Sequence, residues 1–356
     1  IEAGTTIHGL PGAALVVRAG GVLHAEGTRE QPIVFTSAED VGHRAAGDWA
    51  GVALLGQAPV NRVNATLRIR PGLAEAPFGG LDPEWSCGTL RYVRIEFAGG
   101  MSGGEKYLNS LSLAGCGRGT VVDHVQLHFG GDDGLEIFGG TVDIRHLVVT
   151  RAWDAAFDID CGWTGTAQFV AVQLDAGSQN GIESDNLKED ATALPHTDFQ
   201  VYNYTLIGSP GSAAQPGIVY QYGAGGRFSH GIVMSFGLDA VDVVGAEAGA
   251  RALAGDCEVR DTMFFDNGDA TPHDFPVAGT PGEDDDTISS TPITYEVDGA
   301  KLTETEVIQR VVSVDAVRTL VSALNKSFYS WERALEPLVR RAGDQEVLQL
   351  AELFAE

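Results

Sequence analysis

Apolar and polar residues alternate in short runs along much of the chain before residue 266. In two successive runs Val125 and Leu127, and then Leu135 and Ile137, are apolar, with polar residues between them. Alternation with a period of two predicts β-strands that bury one face. The same pattern, interrupted by glycine-rich turns, predicts upstream strands at 14–17, 22–25, 33–36, 51–55 and 90–97.

The strand pattern recurs at a nearly constant interval. Segment 123–140 aligns with segment 145–162 at an offset of 22 residues, and the next copy places Glu183 25 residues after Asp158. One copy is too short to bury its own apolar face, so successive copies must stack. This period predicts an all-β, right-handed, single-stranded parallel β-helix. A leucine-rich repeat would show its Leu/Asn signature, and a propeller blade would need about twice the period.

The chain divides into three predicted parts. Residues 1–266 form the β-helix, and the proline-rich stretch 57–86 projects from it as a loop. Residues 267–300 are rich in proline and acid and are interpreted as a linker or an extended wrap. Residues 301–356 show helical spacing, and this C-terminal helical segment is expected to cap the β-helix, pack beside it, or join subunits into a homo-oligomer.

Charge and cysteine content narrow the classes of function. The chain has 23 Lys plus Arg against 49 Asp plus Glu, a formal charge of −26, which argues against nucleic acid as a partner. No apolar run approaches the ~20 residues of a transmembrane helix. The four cysteines, Cys87, Cys116, Cys161 and Cys257, lack metal-site spacing, which leaves open two disulfides in any of three connectivities or buried free thiols.

Acidic residues recur at equivalent positions of successive copies. Equivalent residues of adjacent coils lie ~4.8 Å apart. Glu136, Asp158 and Glu183 therefore form one column, and Asp160 and Asp185 belong to a second. Two carboxylates at this spacing repel by roughly 1 kcal/mol in water and about 3 to 4 kcal/mol at the effective dielectric of a protein surface. A stack of them needs a physical reason.

Three interpretations of the acidic columns remain open. The first is a solvated acidic face. The second is a site for a hard cation, most plausibly Ca²⁺, held by Glu136, Asp158, Asp160, Glu183 and Asp185 with oxygen ligands nearby on Asn180, Asp132, Asp133 and Asp154. The third is general acid and base catalysis on a sugar chain, for which the candidate catalytic residues are Asp132, Asp133 and Asp158.

Aromatic and histidine side chains accompany the acidic columns. Trp153 and Trp163 bracket them and, with Asn180, are candidate ligand-binding residues, although aromatic residues at turn corners also simply pack. His124 and His146 form a further column. We interpret this column as a stacked surface ladder rather than as a site for a transition metal.

Several ordered motifs carry a family resemblance, namely 32–38, 47–52, 88–97, 130–140 and 180–186. Together they resemble a group of secreted or lipid-anchored bacterial parallel β-helix proteins, most of which carry no assigned activity. The resemblance covers roughly residues 1–245. It implies the fold and an extracellular, cell-surface or periplasmic location, with any signal or lipid anchor upstream of Ile1, but it implies no reaction.

A weaker likeness is to the polygalacturonases and pectate lyases, which share the fold. Asp132 and Asp133 match the paired acids of polygalacturonases, but the Gly-His-Gly signature has no better counterpart than 229–231, and the Arg-x-Lys motif is missing. With only four Lys in the chain, an anionic pectin would be repelled unless calcium bridged the charges, as it does in pectate lyases. The catalytic Arg of a lyase has no counterpart here.

The sequence thus favours a binding or structural module on the cell surface or outside the cell. We expect it to be stabilised by calcium, to need no organic cofactor, and to have a polysaccharide or another envelope protein as its partner. One alternative is a polysaccharide hydrolase or lyase that uses the same acids beside the 57–86 loop. Another is a subunit that assembles into a filament or lattice through the C-terminal helices.

Overall fold

A computed structural model describes residues 1–69, 74–102, 105–106, 108–209, 215–265, 267–268, 295–297 and 300–302. The chain divides into two compact units, 1–289 and 290–356. In the second unit the described residues form an antiparallel hairpin of β23 (Tyr295–Val297) and β24 (Ala300–Leu302). The predicted C-terminal helices and most of the predicted linker lie outside the described residues.

Two long parallel sheets build the first unit. The ten-stranded sheet contains, numbered in chain order, β1 (Thr6–Gly9), β3 (Leu23–Glu26), β4 (Ile33–Ser37), β8 (Gly88–Glu96), β12 (Val121–His128), β14 (Asp143–Thr150), β16 (Thr166–Gln173), β18 (Asp198–Ile207), β20 (Gly225–Met234) and β22 (Cys257–Phe265). The eight-stranded sheet contains β2 (Ala14–Val17), β5 (Gly51–Leu55), β11 (Leu111–Cys116), β13 (Leu135–Gly140), β15 (Phe157–Asp160), β17 (Ile182–Asp185), β19 (Ile218–Gln221) and β21 (Val241–Val244).

The chain passes from one sheet to the other and back, so each central coil adds one strand to each sheet. All strand pairs within the two sheets are parallel, which confirms the predicted all-β, right-handed parallel β-helix. Two short antiparallel pairs, β6 (Thr66–Leu67) with β7 (Ala76–Pro77) and β9 (Met101–Ser102) with β10 (Glu105–Lys106), lie outside these sheets.

The strand register is the one that the repeat predicts. Glu136 lies beside Asp158, and Asp158 lies beside Glu183. On the other side of the pleat Leu135, Phe157 and Ile182 are fully buried and stack along the core. The offsets of 22 and 25 residues are therefore the lengths of single coils, and the acids point away from the core.

The longer strands of the ten-stranded sheet bend at a residue with a positive φ. The bend residues from β8 to β22 are Tyr92, His124, His146, Phe169, Asn203, His230 and Asp261, with φ between 48° and 63°. Histidine, asparagine and aspartate are the non-glycine residues most often found in this left-handed region. The bends lie in register on adjacent strands, so their side chains form a column along the outside of the coil.

The segment between β5 and β8 lies against the eight-stranded sheet instead of projecting from it as predicted. Its buried apolar side chains pack on the outer face of the first strands of that sheet, in one cluster that includes Ala53, Leu55, Ala65, Leu67, Ile69, Ala76, Phe78, Ala114 and, partly buried, Phe138. The reason for the difference is that both surfaces are apolar, so burying them against each other is favourable. This end of the sheet is thereby covered.

One α-helix occurs among the described residues, α1 (Ala246–Ala254), which the sequence analysis missed. Its sequence is alanine-rich, which favours a helix, and it ends at Gly255 with a φ of 85°. Within the described parts of the chain, no helix has the length and apolar character that spanning a membrane requires.

The cysteines combine two of the alternatives that the sequence left open. Cys87 and Cys116 form a disulfide, whereas Cys161 and Cys257 are buried free thiols. The disulfide joins residues 29 positions apart and links the coil that begins with β8 to the eight-stranded sheet.

We predict that the denatured, unreduced protein titrates as two thiols and the reduced protein as four. Reduction should lower the free energy of unfolding by about 3 to 4 kcal/mol, because the unfolded chain gains the entropy of an open loop of this length. Thiol counting in denaturant and a melt with and without reductant measure both quantities. Four thiols without reductant would contradict the assignment.

Candidate functional site

The outer face of strands β13, β15 and β17 carries five carboxylates, which we call the acidic floor: Glu136, Asp158, Asp160, Glu183 and Asp185. Each side chain is half-buried. Ile137 and Ile159 alternate with them and are fully buried on the inner face. The structure thus places all five predicted metal-binding acids side by side on one surface.

Amide groups lie at both ends of the first acidic column. The Asn109 side chain donates a hydrogen bond to Glu136, and the side chains of Asn180 and Gln221 donate to Glu183. Asp158 lies between the two glutamates, and its Oδ1 atom is buried with no hydrogen-bond donor in the described part of the structure. Leaving a buried carboxylate oxygen unpaired is costly.

A carboxylate from a preceding turn joins this column. One oxygen each of Asp133, Glu136 and Asp158 lie within 4.8 Å of one another. Asp133 is held in place because its Oδ1 accepts the N–H of Ala155 at 2.9 Å.

A second group with the same spacing consists of Asp132, Asp133 and Asp154. Among the described residues, no such group contains Asp160, Glu183 or Asp185. The structure therefore gathers two of the five predicted metal ligands with Asp133. Of the three candidate catalytic residues, Asp133 and Asp158 share this first group, and Asp132 belongs with Asp133 to the second.

Burial and mutual repulsion favour the protonated form of these acids. Burial raises the pKa of both Glu136 and Asp158 well above the usual range, and the neighbouring carboxylates raise each further. Burial, followed by the charges of Glu183 and Asp160, raises the pKa of Asp185 to about 8. Without a cation, the acidic floor therefore retains protons at neutral pH.

The 57–86 segment also reaches the floor. Asn61 donates hydrogen bonds to the backbone and side-chain oxygens of Asn186, at 3.1 and 2.9 Å, directly after β17. Arg62 pairs with Glu189 at 3.1 Å, and its charge opposes the rise that burial causes in the pKa of Asp160. Sequence reasoning missed these residues, although Asn186 ends one of the motifs that carry the resemblance.

The predicted ligand-binding residues have different environments. Trp153 is 56% exposed. Asn180 lies at the end of the floor, where it donates to Glu183. Trp163 is fully buried, donates to the Val142 carbonyl at 3.0 Å and stacks in the core, so the prediction that it binds a ligand is wrong.

Two parallel sheets wound into a coil, with a row of carboxylates on one outer face, define a parallel β-helix protein with an acidic surface site. The chain belongs to the family described as the pectate-lyase-like beta helix domain, whose model matches residues 1–302. This match confirms the predicted family likeness. No curated protein and no solved structure matches the chain.

We predict that the acidic floor makes the protein less stable as the pH rises. An unfolded carboxyl has a pKa near ~4. Because the folded values are higher, the folded state binds more protons between pH ~4 and the folded pKa, about 8 for Asp185. The contribution of these carboxyl groups to the free energy of unfolding is therefore fully present below pH ~4, and it is lost as the pH rises through the folded pKa.

Replacing Asp158 by Asn removes one of these charges. In chelator, Asp158→Asn should raise the melting temperature at pH 8 relative to the unmodified protein, and raise it much less at pH 5. The exposed Asp40→Asn serves as the control and should shift neither value. An equal effect of Asp158→Asn at both pH values would show that the charge of Asp158 is not responsible.

Proposed function

We propose that the acidic floor and Asp133 bind calcium, and that the surface around them binds a polysaccharide outside the cell or at its surface. The observation that carries the proposal is the Asp158 Oδ1 atom, which is buried among carboxylates and receives no hydrogen bond from the residues that the structure describes. A cation or a proton must compensate for it, and at neutral pH and millimolar calcium a cation can displace the proton.

The ligand chemistry supports calcium over other metals. Asp133, Glu136 and Asp158 offer only oxygen atoms, which hard cations prefer. Calcium binds oxygen at 2.3 to 2.6 Å, so two ligand oxygens on opposite sides of it are separated by roughly 4.6 to 5.2 Å. The three carboxylates, whose oxygens lie within 4.8 Å of one another, do not exceed this greatest separation. Water would complete the coordination.

Two observations support a polysaccharide as the partner. The family is described as pectate-lyase-like, and the pectate lyases from which that name comes act on a polysaccharide. Trp153, exposed and adjacent in sequence to Asp154, offers a flat apolar surface of the kind on which sugar rings stack. An acidic sugar would need calcium between it and the floor, whereas a neutral sugar would not.

A second candidate function is cleavage of the polysaccharide. The raised pKa of Glu136 and Asp158 would leave one of them protonated at neutral pH, as a general acid requires. Asp132 and Asp133 would then be the neighbouring bases. Two acids whose environments favour different protonation states can divide the roles of proton donor and acceptor.

We predict that calcium stabilises the protein through the floor. At a hundredfold excess over its dissociation constant, a ligand adds about 2.7 kcal/mol to the free energy of unfolding. Calcium in 150 mM NaCl should raise the melting temperature, and the double variant Glu136→Gln/Asp158→Asn should lose that shift. A melt with the same concentration of magnesium is the control for general screening of the −26 charge.

The matched control for charge is Glu2→Gln/Asp40→Asn, which removes the same two charges from exposed positions. It should keep the full calcium shift. If calcium stabilised both double variants equally, its effect would arise from general screening, and the calcium site would be refuted.

We predict that Trp153→Ala weakens glycan binding by at least about two- to tenfold, since an aromatic stacking contact contributes roughly 0.5 to 1.5 kcal/mol beyond its buried area. A glycan array with calcium, followed by fluorescence titration of the best ligand, makes the measurement. The control is Leu81→Ala, at a side chain that is 93% exposed. If the protein cleaved a glycan and both Asp132→Asn and Asp158→Asn abolished the product, the function would be catalysis rather than binding. If no glycan on the array bound, a polysaccharide partner would be refuted.

A further inference from the structure

The bends of the ten-stranded sheet carry a second group of metal-ligating side chains, which is separate from the acidic floor. Tyr92, His124, His146 and Phe169 come from four adjacent strands and stack on one another. Their ring centroids are 4.4, 4.1 and 4.9 Å apart in that order, with interplanar angles of 26°, 26° and 12°. Both imidazoles are therefore held between aromatic rings.

Both imidazoles converge on one carboxylate. The Nδ1 atoms of His124 and His146 each lie 2.8 Å from Asp123 Oδ1. The other oxygen of Asp123 lies 3.5 Å from the Nε atom of Arg91. We call Asp123, His124 and His146 the histidine cluster. Its side chains are 25%, 26% and 8% exposed, so it is accessible at one edge and buried at the other.

The cluster is held in place before any ligand binds. His124 and His146 have φ values of 56° and 52°, and the stack leaves their rings little freedom to rotate. A site whose side chains are already ordered loses little entropy on binding.

We propose that Asp123, His124 and His146 bind a transition-metal ion of the zinc class, through the two Nδ1 atoms and Asp123 Oδ1. Imidazole nitrogen with carboxylate oxygen suits zinc, copper or nickel, whereas calcium prefers oxygen alone. Ligand atoms about 2.0 Å from a tetrahedral zinc are separated by roughly 3.3 Å. Each 2.8 Å contact between Nδ1 and Oδ1 needs to lengthen only slightly. The two ring planes, 26° apart in the stack, must also open so that both Nδ1 lone pairs face the metal, and the proton on each Nδ1 moves to Nε2.

The surroundings set the expected strength of binding. Arg91 on Asp123 Oδ2 corresponds to the outer hydrogen-bond partner that usually orients a ligating carboxylate. Arg91 and Arg145 lie beside Asp123 on the two adjacent strands, and their charges oppose a cation. Binding must therefore come mainly from the two imidazoles, and we expect a dissociation constant on the order of micromolar.

The test is a calorimetric zinc titration of the full chain in millimolar calcium, compared with His124→Asn/His146→Asn. Asparagine is chosen because Asn203 already occupies the same column with a φ of 54°, so the bend is retained. The double variant should lose at least about a hundredfold in affinity. His230→Asn, at the same position of a later strand, should stay within about twofold of the unmodified protein.

Copper provides a measurement that does not depend on stability. Bound Cu²⁺ should show electron paramagnetic resonance coupling to two imidazole nitrogens in the unmodified protein, to one in His124→Asn, and none in the double variant. Zinc binding that survives in the double variant, or no zinc binding to the unmodified protein, would overturn the proposal. So would a loss of zinc binding in Glu136→Gln/Asp158→Asn, because the metal would then lie on the acidic floor.

Discussion

The in-register parallel pairing of successive coils is the constraint on which the rest of this structure depends. It places equivalent side chains of neighbouring coils about 4.8 Å apart, so any residue type that repeats becomes a continuous column. Inward columns of apolar residues form the core. Outward columns bring like groups together whether or not they attract. A repeated acid therefore places carboxylates where they repel one another, and this repulsion must be compensated by neighbouring groups.

The environment of the outward columns changes along the eight-stranded sheet. One outer column runs through Leu55, Ala114 and Phe138 and then continues as Asp160 and Asp185. The 57–86 segment covers the apolar part, and beyond it Asn61 donates a hydrogen bond to Asn186, directly after the last acid of the column. In the other column amides compensate Glu136 and Glu183. Among the described residues, Asp158 Oδ1 receives no such donor, which is why the proposed cation is placed beside it.

The repeat predicted the parts of the structure that repetition controls. Offsets of 22 and 25 residues were enough to assign the coils, the register and the alignment of the acids. The contact of 57–86 with the sheet could not be predicted, because this segment has no alternation and its partners are distant in sequence. Trp153 and Trp163 both flank acidic strands, yet one is exposed and the other is buried. Whether each tryptophan side chain points into the core or to the surface depends on how its turn leads into the next strand, which a period of two does not specify.

The two proposed sites show how one scaffold can separate two kinds of metal chemistry. On the flat eight-stranded sheet, outward residues alternate with core residues and can be acidic only if something neutralises them. At the bends of the other sheet, a positive φ favours residues that tolerate it, and histidine occupies three of the seven bends from β8 to β22. Stacked bends therefore concentrate nitrogen ligands, whereas stacked strands concentrate oxygen ligands. Because His124 and His146 share one carboxylate that the coil places beside both, the same register that creates repulsion on the floor creates a convergent donor set at the bend.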